Sequence, residues 1–293
     1  MNTRKASYRP VEFPSDVRKA LNEVNSRLVS FKTSEFVHDD LFDPSVHLFK
    51  RRGKMIRPAL ILLVAHLLKR NPSDYVDLAV AAELIHTSSL IHDDMIDGDA
   101  VRRGIPSVHK KYGSEAALLA GDALIAKAIS MSSRYGKRVL DSIARSSLDM
   151  CAGELLDYNF QKKMAVPNIK QYTDIARLKS ASLIASCSNA VALHIGDSNA
   201  DDLYRFGNNI GIAFQIRDDV ADYLEWMKSH RKGVLTPNIV SSIESESNVG
   251  TYSAVLKAYD LNRKYVMSAV QSLNEDSETD MLKRYASLIM LRI

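Results

Sequence analysis

Two aspartate triplets, Asp93, Asp94 and Asp97 and, far downstream, Asp218, Asp219 and Asp222, share the spacing D-D-x-x-D. On a helix, Asp93 and Asp97, like Asp218 and Asp222, fall one turn apart on one side, where like charges repel unless something positive lies between them. The first triplet also sits just before Gly98, at a predicted helix end whose dipole is already negative. A divalent cation answers both penalties. Magnesium suits such a place because it takes a few carboxylate oxygens, keeps waters and completes its shell with phosphates. Pattern alone decides little, since Asp39, Asp40 and Asp43 match it too. That copy precedes Pro44 and lacks a long apolar run, which predicts a turn or short helix end.

Cations stand where phosphates would need them. Lys54 and Arg57, three apart beside Gly53, precede the apolar run from Ala59. Positive charge at a helix start opposes the macrodipole, so an anion there would relieve it, unless both side chains snorkel to solvent. Arg102 and Arg103 follow the first triplet at a distance that lets a loop fold back over it. Lys179 lies among small and apolar residues and needs an anionic partner, a phosphate or a protein carboxylate. His86 is two turns before Asp93 on the same side, Gln215 precedes the second triplet, and Glu154 and Asp157 face either this cavity or solvent. Asp122 reads as structural, and Asp201 and Asp202 as helix-start charges. Two acidic helix faces with five cations within reach are what a magnesium-diphosphate site requires.

The elements that must position these groups are helices. Only 12 Gly and 8 Pro punctuate 293 residues, and apolar positions recur at helical spacing with short gaps. One all-α domain over 1–293 is expected, a bundle of long helices around a central cavity, with 1–14 as an arm and Ser15 capping the first helix. Asn71-Pro72-Ser73 should start the central helix, with Leu84, Ile91 and Met95 on one face and Ala82, His86, Ser89, Asp93 and Asp97 opposite. Ile105 to Tyr112 reads as a short helical piece, and long helices follow from Ser114 and from Arg138 to about Lys163.

Composition narrows the class further. A charge of +4 without long basic runs does not suggest nucleic-acid binding. Two cysteines, Cys151 and Cys187, are too few for a disulfide framework, which fits a reducing, cytoplasmic compartment. The amino terminus has no apolar core of a secretory signal, and the run from Ala59 to Leu68 is too short to span a bilayer.

The motifs in their order resemble the trans-isoprenyl diphosphate synthases of the polyprenyl synthetase family, most nearly a geranylgeranyl diphosphate synthase. They are G-K-M-I-R-P at Gly53 to Pro58, H-T-S-S-L-I-H-D-D-M-I-D at His86 to Asp97, R-R-G at Arg102 to Gly104, L-K-S-A-S at Leu178 to Ser182, and F-Q-I-R-D-D-V-A-D at Phe214 to Asp222. The resemblance implies a magnesium-dependent head-to-tail condensation of an allylic diphosphate (dimethylallyl, geranyl or farnesyl) with isopentenyl diphosphate through an allylic carbocation, in a homodimer. It implies that Asp93, Asp97 and Asp218 hold Mg2+, with Asp94, Asp219 and Asp222 supporting. Arg102, Lys179 and Lys232 would clamp the allylic diphosphate, while Lys54, Arg57, His86 and Arg103 bind isopentenyl diphosphate. Ser180 and Gln215 would face the cation.

This chain departs from the family pattern in carrying Glu154 where a Gln is usual and a shorter loop after Asp222, in which Lys228 or Lys232 replaces the family's lysine. Ser88 and Ser89, where short-chain members carry bulk, and Ile85 beyond them, imply a product longer than farnesyl, geranylgeranyl or somewhat more. A terpene cyclase would share the metal logic but not the Lys54 and Arg57 set. A non-catalytic subunit would not need both triplets intact.

Overall fold

A computed structural model describes residues 12–51, 53–228, 236–273 and 279–287. Most of the expected arm 1–14, together with Lys232, lies outside these residues. The described chain is a helical bundle: α1 (Ser15–Val29), α2 (Asp39–Val46), α3 (Ile56–Leu67), α4 (Val76–Ile96), α5 (Val108–Tyr112), α6 (Ser114–Ser132), α7 (Lys137–Lys162), α8 (Ile169–Ala176), α9 (Ser182–Ile195), α10 (Ala200–Lys228), α11 (Ile239–Ser247), α12 (Thr251–Gln271) and α13 (Asp280–Ser287). Its only described strands are β1 (Val101–Arg102) and β2 (Ile105–Pro106), an antiparallel pair.

α4 lies at the heart of the bundle, packed along α6 and against α3, while α9 packs on α3, α7 and α10. From Leu78 to Ile85 α4 is buried all round, so its two-faced pattern holds only for the later turns, where Ile91 is buried and Asp93 half-buried. A helix enclosed on every side needs no polar stripe. One cluster of buried residues joins α1, α3, α4, α6 and α9, and a smaller one, including Ile212, Ile216, Val220, Ile239 and Ala254, joins α10 to α11 and α12. α6 with the turn after it, Ser114–Tyr135, is long and apolar enough to cross a membrane by length and composition alone. Here it packs on α4 and α2.

Local signals fix several boundaries. Asn71 accepts from the Ser73 amide and opens the Pro72–Tyr75 turn that feeds α4. Asn168 and Asn238 cap α8 and α11 in reciprocal pairs with Gln171 and Ser241. Three expectations are corrected. Ser15 is the first helical residue behind Pro14 and caps nothing by its side chain. Asp39 and Asp40 open α2, capped by His38, because acids suit a helix start; they do not end a helix. Ile105 pairs in a hairpin, and only Val108–Tyr112 is helical.

Between α8 and α9 the chain widens into a π-turn, Arg177–Ala181, pressed between two glycines. A β-carbon at Gly153 of α7 would stand 2.3 Å from the Lys179 amide nitrogen, and one at Gly211 of α10 would stand 2.4 Å from the Ala181 Cα. Backbone touches backbone on both sides, so the turn carrying Lys179 has one place to sit. Gly153→Ala should lower stability by about 2 kcal/mol, since overpacking a close backbone contact outweighs the helix propensity gained. Urea unfolding, read as a lower midpoint at unchanged slope, measures it.

Candidate functional site

Each acidic triplet is delivered by a long helix, the first at the end of α4 and the second within α10, which runs on to Lys228. α4 ends at Ile96, so Asp93 and Asp94 fill its last turn and Asp97 caps it, the Asp97 amide bonding the Asp93 carbonyl at 2.8 Å. The chain then reverses through Arg103 and Gly104, both at positive φ (52° and 76°), the backbone that a two-residue hairpin between β1 and β2 demands. This turn sends the two arginines opposite ways. Arg102 donates through Nε to Asp94 Oδ1 at 2.6 Å and through Nη2 to Asp99 at 3.1 Å. Arg103 reaches Arg51, donating to its carbonyl at 3.3 Å, and lies against Gly53, where a β-carbon would meet its guanidinium at 2.6 Å.

Asp94 is thus fully buried and occupied by Arg102. It supports the site as the counter-ion that holds Arg102 across the hairpin. Among the described residues Asp93 has no such partner. Burial, and then the nearby Glu154, push its carboxyl up to about 7 against the pull of Lys179. Burial raises Asp97 as well, with Lys179 opposing.

On α10, Gln215 donates to Asp219 Oδ1 at 2.7 Å and accepts from the Ser180 hydroxyl, so Ser180 and Gln215 form one linked pair. Asp219 also accepts from the Ile239 amide at the start of α11, 3.3 Å away; burial pushes it up to about 6. Asp218 pairs with Arg217 at 3.2 Å, and Asp222 is raised by burial and then by Asp218. Lys179 stands between the two triplets. Its Nζ donates to Asp157 Oδ2 at 2.7 Å and lies 2.8 Å from Glu154 Oε2. Burial would lower this lysine, but the two carboxylates outweigh it and raise it.

Two cavities meet at Lys179. The smaller, about 200 Å3, is lined by Asp97, Asp157, Lys179, Gln215, Asp219 and Asp222, so both triplets open on one space. The larger, about 500 Å3, begins at Asp93, Glu154 and Lys179 and runs between α4, α6 and α7. Down α4 it passes Ser89, Ser88 and Ile85; down α7 it passes Cys151, Met150 and Ser147, with Ile125 of α6 beside them. A polar head space opening on a long apolar one fits an amphiphile with a charged head.

The second basic set also converges. α3 starts after Met55 with no side-chain cap, leaving amides of its first turn beside Arg57. Arg57, Arg103 and His86 are close enough that both arginines depress His86, after burial, well below its ordinary value, and the imidazole is neutral. Lys54 lies 5.4 Å over the Phe214 ring, near Asp222. Glu83, only 3% exposed, faces Arg57 and was not singled out by sequence reasoning. A lone acid one turn before His86 inside an apolar run was the available signal. Lys228 is exposed at the last described turn of α10.

The polyprenyl synthetase family model matches residues 38–236. The chain belongs to that family and is a trans-prenyltransferase. It is 35% identical over 247 residues to a short chain isoprenyl diphosphate synthase of Methanothermobacter thermautotrophicus, covering 79% of this chain and 76% of that protein. It is 30% identical to a geranylgeranyl diphosphate synthase of Sulfolobus acidocaldarius across 90% of this chain and 92% of that one. Among solved structures, geranylgeranyl pyrophosphate synthetase from Pyrococcus horikoshii superposes with a TM-score of 0.78 at 27% identity over 94% of this chain and 96% of that one. The synthetase from Geoglobus acetivorans superposes with a TM-score of 0.84 at 24% identity over 94% and 99%, which speaks for the fold alone.

Neutral His86 makes a sign-definite prediction. Its folded value is depressed, so the stability it contributes is present above about 6.5 and lost as pH falls below that. Wild type should lose about 1 kcal/mol per pH unit relative to His86→Asn between pH 6.5 and 5. Denaturant unfolding at a series of pH values checks this, and parallel curves would refute it.

Proposed function

We propose that this prenyltransferase, which condenses isopentenyl diphosphate with an allylic diphosphate, carries the chain to geranylgeranyl diphosphate or a somewhat longer product. The observation that carries the reading is the single space shared by Asp97, Lys179, Asp219 and Asp222, continuing at Asp93 into an apolar cavity between α4, α6 and α7. Diphosphate belongs at the charged junction and the prenyl tail belongs below it.

The acidic groups suit magnesium. Asp93 is a carboxylate pushed up to about 7 by burial and then by Glu154, and Asp222 is raised by burial and then by Asp218; a bound cation would relieve both. Among the described residues no three His, Cys, Asp or Glu side chains form a ready-made cage. Magnesium, however, binds through one or two carboxylates, waters and substrate phosphates. Asp93, Asp97 and Asp218 would hold it, with Asp94, Asp219 and Asp222 behind them, and bound there it would neutralise charge gathering on the leaving diphosphate.

Lys179 and Arg102 clamp the allylic diphosphate, and their fixed charges favour its departure. The allylic carbocation left behind lies near Gln215 and Ser180, under apolar walls that exclude quenching water. Lys54, Arg57, Arg103 and His86 hold isopentenyl diphosphate at the start of α3 so that its double bond attacks that cation, and the released diphosphate takes the surplus proton. His86 arrives neutral and can donate one hydrogen bond to an anion held by the arginines.

Tail length follows from α4. One helical turn is roughly 5.4 Å, comparable to an isoprene unit, so small Ser89 and Ser88 admit the chain past the first turn towards Ile85. The geranylgeranyl diphosphate synthase among the relatives supports this choice. Exposed Leu118, Leu119 and Ile129 of α6 and Leu148 and Leu155 of α7 offer an apolar face for a homodimer. Two free cysteines accord with a cytoplasmic site of action.

The purified protein incubated with magnesium, isopentenyl diphosphate and each allylic diphosphate should elongate alone, and product chromatography should show chains longer than farnesyl. Ser89→Phe should shorten the main product by at least one isoprene unit. An unchanged product distribution would remove Ser89 from the wall, and elongation only with a partner protein would overturn the catalytic reading.

A further inference from the structure

The carboxylate at position 154 has no part in the chemistry above, yet it lies where the two cavities join. Glu154 lines the tail cavity beside Asp93, its side chain is only 12% exposed, and its Oε2 is 2.8 Å from Lys179 Nζ. Asp157, one turn further along α7, takes the same ammonium at 2.7 Å. The backbone cannot swing Lys179 clear of them, because its amide is pressed against Gly153. Two carboxylates on one lysine are more than neutrality requires, and the surplus charge bears on Asp93 and Asp97.

We propose that Glu154 is a positioning residue that latches Lys179 in the free enzyme and competes with the allylic diphosphate for its ammonium, so that it sets how tightly diphosphate is held and how readily it is let go. Asp157 alone can satisfy Lys179 when the latch is open. With Glu154 closed, an arriving diphosphate must displace a carboxylate already in close ion-pair contact. With a neutral amide in its place, Lys179 meets the diphosphate at once. A grip that is weaker by design speeds release of the diphosphate product, the step that limits many enzymes whose products are large and charged. This deepens the reading of Lys179 as a diphosphate ligand and rests on it.

The test is calorimetric titration of inorganic pyrophosphate with saturating magnesium into wild type, Glu154→Gln, Lys179→Gln and the double variant, a cycle that isolates the coupling between the two residues. Glu154→Gln should tighten pyrophosphate binding about fivefold, the range of a partly exposed charge pair, and this gain should vanish in the Lys179→Gln background. With geranyl diphosphate as substrate, KM should fall in Glu154→Gln while kcat does not rise. Equal tightening in both backgrounds would mean plain charge repulsion and overturn the latch, as would unchanged or weaker binding in Glu154→Gln alone. If Glu154→Gln melts before it can be titrated, Glu154→Asp keeps the charge but draws it back from Lys179, and should shift binding the same way by less; no shift there also overturns the proposal. Wild type that elongates but shows no such coupling defeats the latch only, whereas wild type that binds no pyrophosphate defeats the assignment of the site.

Discussion

Asp97 at the end of α4 and Asp219 and Asp222 on α10 reach one cavity, and like charges brought together in a half-buried cleft repel strongly. Lys179 lies between them, tied to Glu154 and Asp157. Burial first, and neighbouring carboxylates after it, push Asp93 up to about 7 and raise Asp97 and Asp222, and one ammonium does not offset this. The site therefore gathers more negative than positive charge, the condition in which a divalent cation is favoured. The geometry of the bundle exists to sustain that imbalance without letting the helices part.

Two local devices do this. The π-turn wedged between Gly153 and Gly211 fixes the Lys179 backbone by close contact, and Asp157 and Glu154 then hold its ammonium. The hairpin turn at Arg103 and Gly104 then separates two adjacent arginines, one committed to Asp94 and Asp99, the other carried to Gly53 and the start of α3. A pair of neighbours in sequence is thereby sent to two places, the end of α4 and the start of α3. Asp219 plays a similar double part, since it lines the cavity and also ties α11 to α10 through the Ile239 amide.

Long helices with few breakers made the all-α bundle legible from sequence, and the spacing of the triplets made the acid faces legible. What the spacing could not show was allocation. Asp93 and Asp94 are neighbours of the same type, yet one is paired and the other is not, because the hairpin returns Arg102 to Asp94. Glu154 and Asp157 stayed ambiguous between cavity and solvent because their partner lies 22 or more residues away in sequence, on a turn whose widening no local propensity marks. Glu83 escaped notice because its charge is answered by Arg57 from another helix.

α4 carries Asp93, Asp94 and Asp97 at one end and the cavity-lining Ser88 and Ser89 a turn or more back, on the same rigid rod. Spacing between anchor and gauge is therefore written in whole residues: roughly 1.5 Å of travel and about 100° of rotation for each. Inserting or deleting a single residue between Ser89 and Asp93 would swing the serines off the cavity wall altogether, leaving a ruler whose marks face the wrong way. On the proposed reading of the cavity, product length drifts through side-chain size at a fixed position while the register of that one helix stays locked.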